Sequence, residues 1–176
     1  MNSIMYCYEN RKVASFYCNQ SDVTLHLTGY VEKFNESEVL IAHISEHGYY
    51  DGYILKHEED IFRIDYDGAY EKKIEKLYIA KRQLHPHIDT FLDDKDEIFY
   101  SLLNYAKIHD LVITVDLGDC YLSGLVNNYE DDTLFLAIID DSGAKNGMSV
   151  IKTDEILTVS VDTDDEQDLN ILRRNS

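Results

Sequence analysis

Gly29-Tyr30-Val31, followed by Phe34, Val39-Leu40-Ile41-Ala42 and Ile44, returns 95 residues later as Gly124-Leu125-Val126, Tyr129, Leu134-Phe135-Leu136-Ala137 and Ile139. The same offset sets Gly48 and Gly52 on Gly143 and Gly147, Asp60-Ile61 on Glu155-Ile156, and Ile64 on Val159. It also sets Asp67 on Asp162 and Leu77 on Leu172, with no gap between residues 29 and 77. Apolar residues are common enough to coincide by chance. Glycines are not, because each marks a backbone position with special dihedrals or close approach. The chain is therefore read as a duplication.

Outward from these stretches, each copy reads as five strands. In the second copy, residues 111–117 are apolar and β-branched, and Gly118-Asp119 follows as a tight turn. Residues 120–128 alternate, and residues 133–139 form a near-continuous apolar run suited to a buried or strongly bent strand. Asp140-Asp141-Ser142-Gly143 is a turn, and strands at 148–151 and 156–161 complete the set. The first copy repeats this order at 13–18, 23–34, 38–45, 52–56 and 61–66. Residues 96–109 place Ile98, Leu102, Tyr105 and Ala106 at helical spacing, with Asp93, Asp94 and Asp96 suited to cap the start. A shorter helix is expected over residues 2–9, before the first set of strands. The only proline lies in His85-Pro86-His87 and marks a linker, since proline forces its predecessor out of helix. The organisation read from the sequence is one unit over 1–78, a linker over 79–95 and a second unit over 96–176.

A helix and five bent strands in so short a span are the plan of a small β-barrel, with glycine at the bend of the second strand. Residues 25–35, Leu-His-Leu-Thr-Gly-Tyr-Val-Glu-Lys-Phe-Asn, resemble the first motif of the Sm and Sm-like (Lsm) proteins, which runs hydrophobic-x-Gly-x-hydrophobic-x-x-aromatic-Asp. Cys120 to Tyr129 is similar. The resemblance implies a mainly β chain of two tandem five-stranded barrels, Sm-like or SH3-like, each preceded by a short helix. It also implies assembly into rings. The family's RNA-contacting Asp and Asn correspond to Asn35 with Val39, and to Glu130 with Leu134. Its second motif, an Arg-Gly or Lys-Gly pair after an apolar residue, is absent from both copies. The family's RNA site therefore does not carry over residue by residue.

Charge narrows the partners. The 176 residues hold 16 basic and 34 acidic side chains, for a net charge of −18. This disfavours a general nucleic-acid coat, because phosphate affinity rests on Lys and Arg displacing counterions. The charge is uneven: residues 1–88 carry 10 basic and 14 acidic groups, residues 89–176 carry 6 and 20. No apolar run approaches the roughly 20 residues of a membrane helix. The first residues lack a signal-peptide pattern, so no membrane partner and a cytoplasmic location are expected. Cys7, Cys18 and Cys120 form no closely spaced pair and read as reduced thiols.

Catalytic signatures are missing: there is no nucleophile elbow, P-loop, dinucleotide fingerprint or metalloprotease helix. His43 and His47 fall in a strand and a turn, and His85-Pro86-His87 lacks the remaining ligands of a metal set. The acidic runs 58–60, 130–132 and 162–168 read as solvated loops and strand ends, and Asp65-Tyr66-Asp67-Gly68 lacks the spacing of a calcium loop. No enzyme, metal or cofactor is expected. The candidate interaction residues are His47, Tyr49, Tyr50 and Tyr53, because the second copy keeps the flanking glycines but not the aromatics. Lys72, Lys73 and Lys76 join them, on an amphipathic stretch running to Lys81 and Arg82. The expected function is a non-enzymatic protein-interaction or regulatory module, with protein partners that include further copies of itself. RNA binding through the first copy is the alternative.

Overall fold

The computed structural model describes residues 3–86, 88 and 98–175. Helix α1 (Ser3–Glu9) leads into β1 (Val13–Tyr17), β2 (Leu27–Phe34), β3 (Glu38–Ile44), β4 (Tyr50–His57) and β5 (Arg63–Tyr66), and α2 (Ala69–Ala80) follows. The second half repeats that order with α3 (Ile98–Ile108), β6 (Val112–Asp116), β7 (Tyr121–Glu130), β8 (Thr133–Ile139), β9 (Lys145–Lys152), β10 (Thr158–Val161) and α4 (Asp164–Arg174). Single 3-10 turns, Glu58–Asp60 and Thr153–Glu155, link β4 to β5 and β9 to β10.

All ten strands join one antiparallel sheet in the order β5-β1-β2-β3-β4-β10-β6-β7-β8-β9. The expected closed barrels are corrected by this order. Closing the first half would require β4 to pair with β5, but the free edge of β4 is taken by β10. The protein is mainly β and its sheet is open, with β5 and β9 as the outer strands.

The bends come from matching irregularities. The ladder of β2 and β3 slips between Val31 and Lys33, and that of β7 and β8 slips between Val126 and Asn128. Further slips lie between Ala42 and Ile44 and between Ala137 and Ile139. Such bulges turn a strand and increase its twist. Gly29 and Gly124 sit where β2 and β7 press on the next strand: a Cβ there would enter the carbonyl oxygens of Ala42 and Ala137.

The helices close the faces. α1 buries Ile4 and Cys7 against Phe16, Val31, Val39 and Ile41, forming a core within the first half. α2 buries Ile74 and Tyr78 against Val13 and Ile44. α3 places Leu102, Leu103 and Ala106 in a larger core that includes Leu40, Ala42, Tyr53 and Leu55 of the first half with Val115, Leu136 and Val159 of the second. The hydrophobic interior is thus continuous across the seam between halves.

Two expectations change locally. The expected strand 23–34 begins only at Leu27, because Asn19 and Asp22 side chains accept the N–H groups of Ser21, Asp22 and Thr24 and hold a loop instead. The acidic run 162–168, expected as loop, opens helix α4, with Asp164, Asp165 and Glu166 in its first turn. Asp93, Asp94 and Asp96 lie outside the described residues, as does His87.

Candidate interaction site

The seam is built from backbone first. β10 pairs with β4 through Thr158↔Lys56, Val159↔Leu55, Ser160↔Ile54 and Val161↔Tyr53. Side chains then lock both ends. At one end the Lys56 ammonium donates to Thr158 Oγ1, and His57 Nε2 lies 2.9 Å from the Ile156 carbonyl oxygen. At the other, Asp51 Oδ1 accepts the Asp164 N–H at 2.8 Å, the first amide of α4. His43 Nδ1 lies 3.0 Å from the second oxygen of Asp51. Gly52, at φ 71°, brings the β4 backbone against Asp162 and Thr163, leaving no space for a Cβ.

The electrostatics of the seam divide its carboxylates. Burial works against the charge of Asp51, but His43 and the Asp164 N–H outweigh it and hold the carboxyl below its usual range. Asp162 is pushed above that range by burial, with Glu166 and Asp51 adding like charge. Asp164 is also raised, first by Asp51 and then by burial. Glu38 anchors α3 from the first half: burial raises its carboxyl, while the Asn35 amide and the N–H groups at the start of α3, Phe99 and Ile98, draw it back.

Beside the seam, an aromatic cluster separates the predicted tyrosines by role. Tyr53 is fully buried, its ring edge-on to Tyr105 of α3 at 6.1 Å. It is corrected from a surface contact to a core residue, because the strand that carries it is central in the sheet. Tyr50 is half-buried, donates its N–H to Gln83 Oε1 at 3.2 Å and stacks on His85 at 6.2 Å. Burial pushes both phenols above the usual tyrosine range. His85 is itself enclosed, 3.2 Å from Glu32 and 2.9 Å from the Tyr78 hydroxyl, which packs the start of the linker onto the first half.

Tyr49 and His47 remain at the surface. Lys81 of the turn after α2 lies 3.7 Å above the Tyr49 ring and donates to the His47 carbonyl at 2.5 Å. Lys72, Lys73 and Lys76 are exposed on the outer face of α2. The structure therefore brings Tyr49, His47 and Lys81 together and turns Tyr50 and Tyr53 inward, while the three lysines stand exposed along α2.

Sequence reasoning missed a polar device shared by the two halves. Glu71 and Glu166, 95 residues apart, are both buried at the start of the helix that follows each strand set. Glu71 Oε1 accepts from Ser15 at 2.6 Å. Glu166 accepts from Ser160 at 2.7 Å and from the Thr163 N–H and hydroxyl at 2.9 and 2.6 Å. Placing Glu71 on Glu166 in the repeat was the available signal.

No helix of the described residues is long and apolar enough to cross a membrane. No family model, curated protein or solved structure matches the chain.

Proposed function

We propose that the chain is a non-enzymatic, cytoplasmic interaction module of two Sm-like units that works through the free edges of its sheet. The observation that carries this reading is the seam itself. One edge of the first unit is satisfied by an edge of the second, and the remaining edges, β5 and β9, pair with no further strand among the described residues. Such an edge is a template for a further strand. Each half orders its strands alike, and this supports the two-unit reading.

The test is partner capture from the native host with three baits: the wild-type chain, an edge variant and a loop variant. The hydrogen bond from the Thr153 N–H to the Asp132 carbonyl sets the alternation along β9, so that the Val150 N–H faces away from β8. Val150→Pro removes an outward donor and leaves the inner ladder intact. Edge recognition predicts that Tyr49→Ser keeps the partners and Val150→Pro loses them. The opposite pattern would move the working surface to the Tyr49 loop and reject the edge reading.

RNA binding is the second reading, favoured by the exposure of Lys72, Lys73 and Lys76 on one helix. Salt-sensitive retention of RNA that falls in a Lys72→Glu/Lys76→Glu variant would support it. A chain indifferent to RNA at low salt would reject it.

A further inference from the structure

Positions 95 residues apart have the same place in each half but different surroundings, and the differences collect along the outer strands. Tyr53 and Leu55 of β4 are 0% and 5% exposed, whereas their counterparts in β9, Met148 and Val150, are 53% and 66% exposed. Val161 of β10 is 0% exposed and its counterpart in β5, Tyr66, is 38%. Gly52 is pressed against Asp162 and Thr163. Gly147 has the same left-handed backbone, at φ 86°, yet no described atom comes within 4 Å of its Cβ position. β9 is thus shaped like β4, down to the glycine that admits a neighbouring backbone, yet on the side away from β8 no strand of the described residues adjoins it.

We propose that this neighbour is β5 of a second copy of the chain, joined to β9 in the register that β4 and β10 use inside the chain. The inference rests on the edge reading above and names its partner. Shifting the seam pairs by 95 residues gives Arg63↔Ile151, Ile64↔Val150, Asp65↔Ser149 and Tyr66↔Met148 between copies. Gly147 then receives Asp67 and Gly68, whose counterparts Asp162 and Thr163 cover Gly52. Asp67 has the same left-handed backbone as Asp162, at φ 60° and 62°.

Two of the polar locks translate as well, while the Lys56–Thr158 contact is replaced by Ile151 opposite Arg63. Asn146 takes the place of Asp51, and its side-chain oxygen meets the N–H of Ala69 where Asp51 meets that of Asp164. Lys152 takes the place of His57; its ammonium donates to Asp132 at 2.7 Å within the chain and would turn to the Ile61 carbonyl where His57 reaches that of Ile156. In these two a donor still faces an acceptor. The free edges also carry apolar side chains, Met148, Val150 and Tyr66, of the kind that an uncovered edge strand avoids. A β9-to-β5 contact joins unlike surfaces head to tail, so copies add in one direction to give a closed ring or an open filament.

Two measurements decide the matter. Native mass determination of the wild-type chain should give a multiple of the single-chain mass, falling to one chain in Val150→Pro while the circular dichroism spectrum is kept. Independently, Asp65→Cys/Ser149→Cys in a Cys120→Ser background should form intermolecular disulfides under mild oxidation. This pair lies opposite and outside the hydrogen-bonded positions, where cross-strand sulfurs meet. Non-reducing electrophoresis should show a ladder of multiples, absent from either single cysteine variant. A single-chain mass at all concentrations without a ladder overturns the proposal, as does a multimer that Val150→Pro leaves intact without a ladder. If the chain is single while Val150→Pro still loses a different protein, self-pairing falls and the edge reading stands. If Val150→Pro changes neither, both fall.

Discussion

Asp162 sits at the seam in a left-handed conformation, surrounded by acid. Its raised carboxyl means that the folded state binds a proton more readily there than the unfolded chain does. Its destabilising contribution is therefore complete at neutral pH and is relieved as the pH falls through the folded value. Asp51 has the opposite sign: its lowered carboxyl stabilises the fold above the unfolded value, and that gain is lost on further acidification. Asp162→Asn keeps a side chain suited to the left-handed region and removes the charge. Its melting temperature should exceed that of the wild type at pH 7, with the difference shrinking towards pH 4; thermal melts across that range would show it. An equal offset at every pH would mean that the charge is not the cause. At this scale the sequence was only partly readable. The tyrosines of residues 49–53 were visible as a group, but which ones turn inward depends on β4 being covered by β10, a contact distant in the chain.

At the scale of elements, the succession of strands along the chain and the close approach at Gly29 and Gly124 were legible because close backbone approach leaves a residue-specific mark. Gly29→Ala should therefore cost about 3 kcal/mol, the upper part of the usual range for overpacking, since the obstructing atom is the fixed Ala42 carbonyl. Urea denaturation would measure it, and a loss below about 1 kcal/mol would show that β3 can yield. Helix α4 was not legible. Its buried positions include Glu166 and Asn170, so the apolar repeat that announces a helix is missing from its inner face. Those side chains are satisfied instead by hydrogen bonds, Glu166 to Ser160 and Thr163, and Asn170 to the Val112 N–H at 3.2 Å. The same burial of an acid marks α2, where Glu71 meets Ser15. Solvated acidic runs and buried acidic anchors have the same composition, and only the fold distinguishes them.

For the whole molecule, the like succession of strands in the two halves could be read from the offset of glycines, whereas the joining of the halves into one open sheet could not. That joining depends on which edges meet, and edge pairing leaves no local pattern. The net charge of −18 has its clearest consequence here. Copies of such a chain repel one another, so self-association should strengthen as added salt shortens the screening length from about 30 Å at 0.01 M to about 8 Å at 0.15 M. Sedimentation at several salt concentrations would follow it; dissociation on adding salt would instead indicate attraction between unlike charged surfaces. The continuity of the polypeptide across the two halves also imposes parity. Because each polypeptide delivers two five-stranded units already joined, a closed assembly of these chains holds an even number of units, whatever its size. Its joints alternate between one that peptide bonds keep together and one that dilution can open, so disassembly stops at pairs.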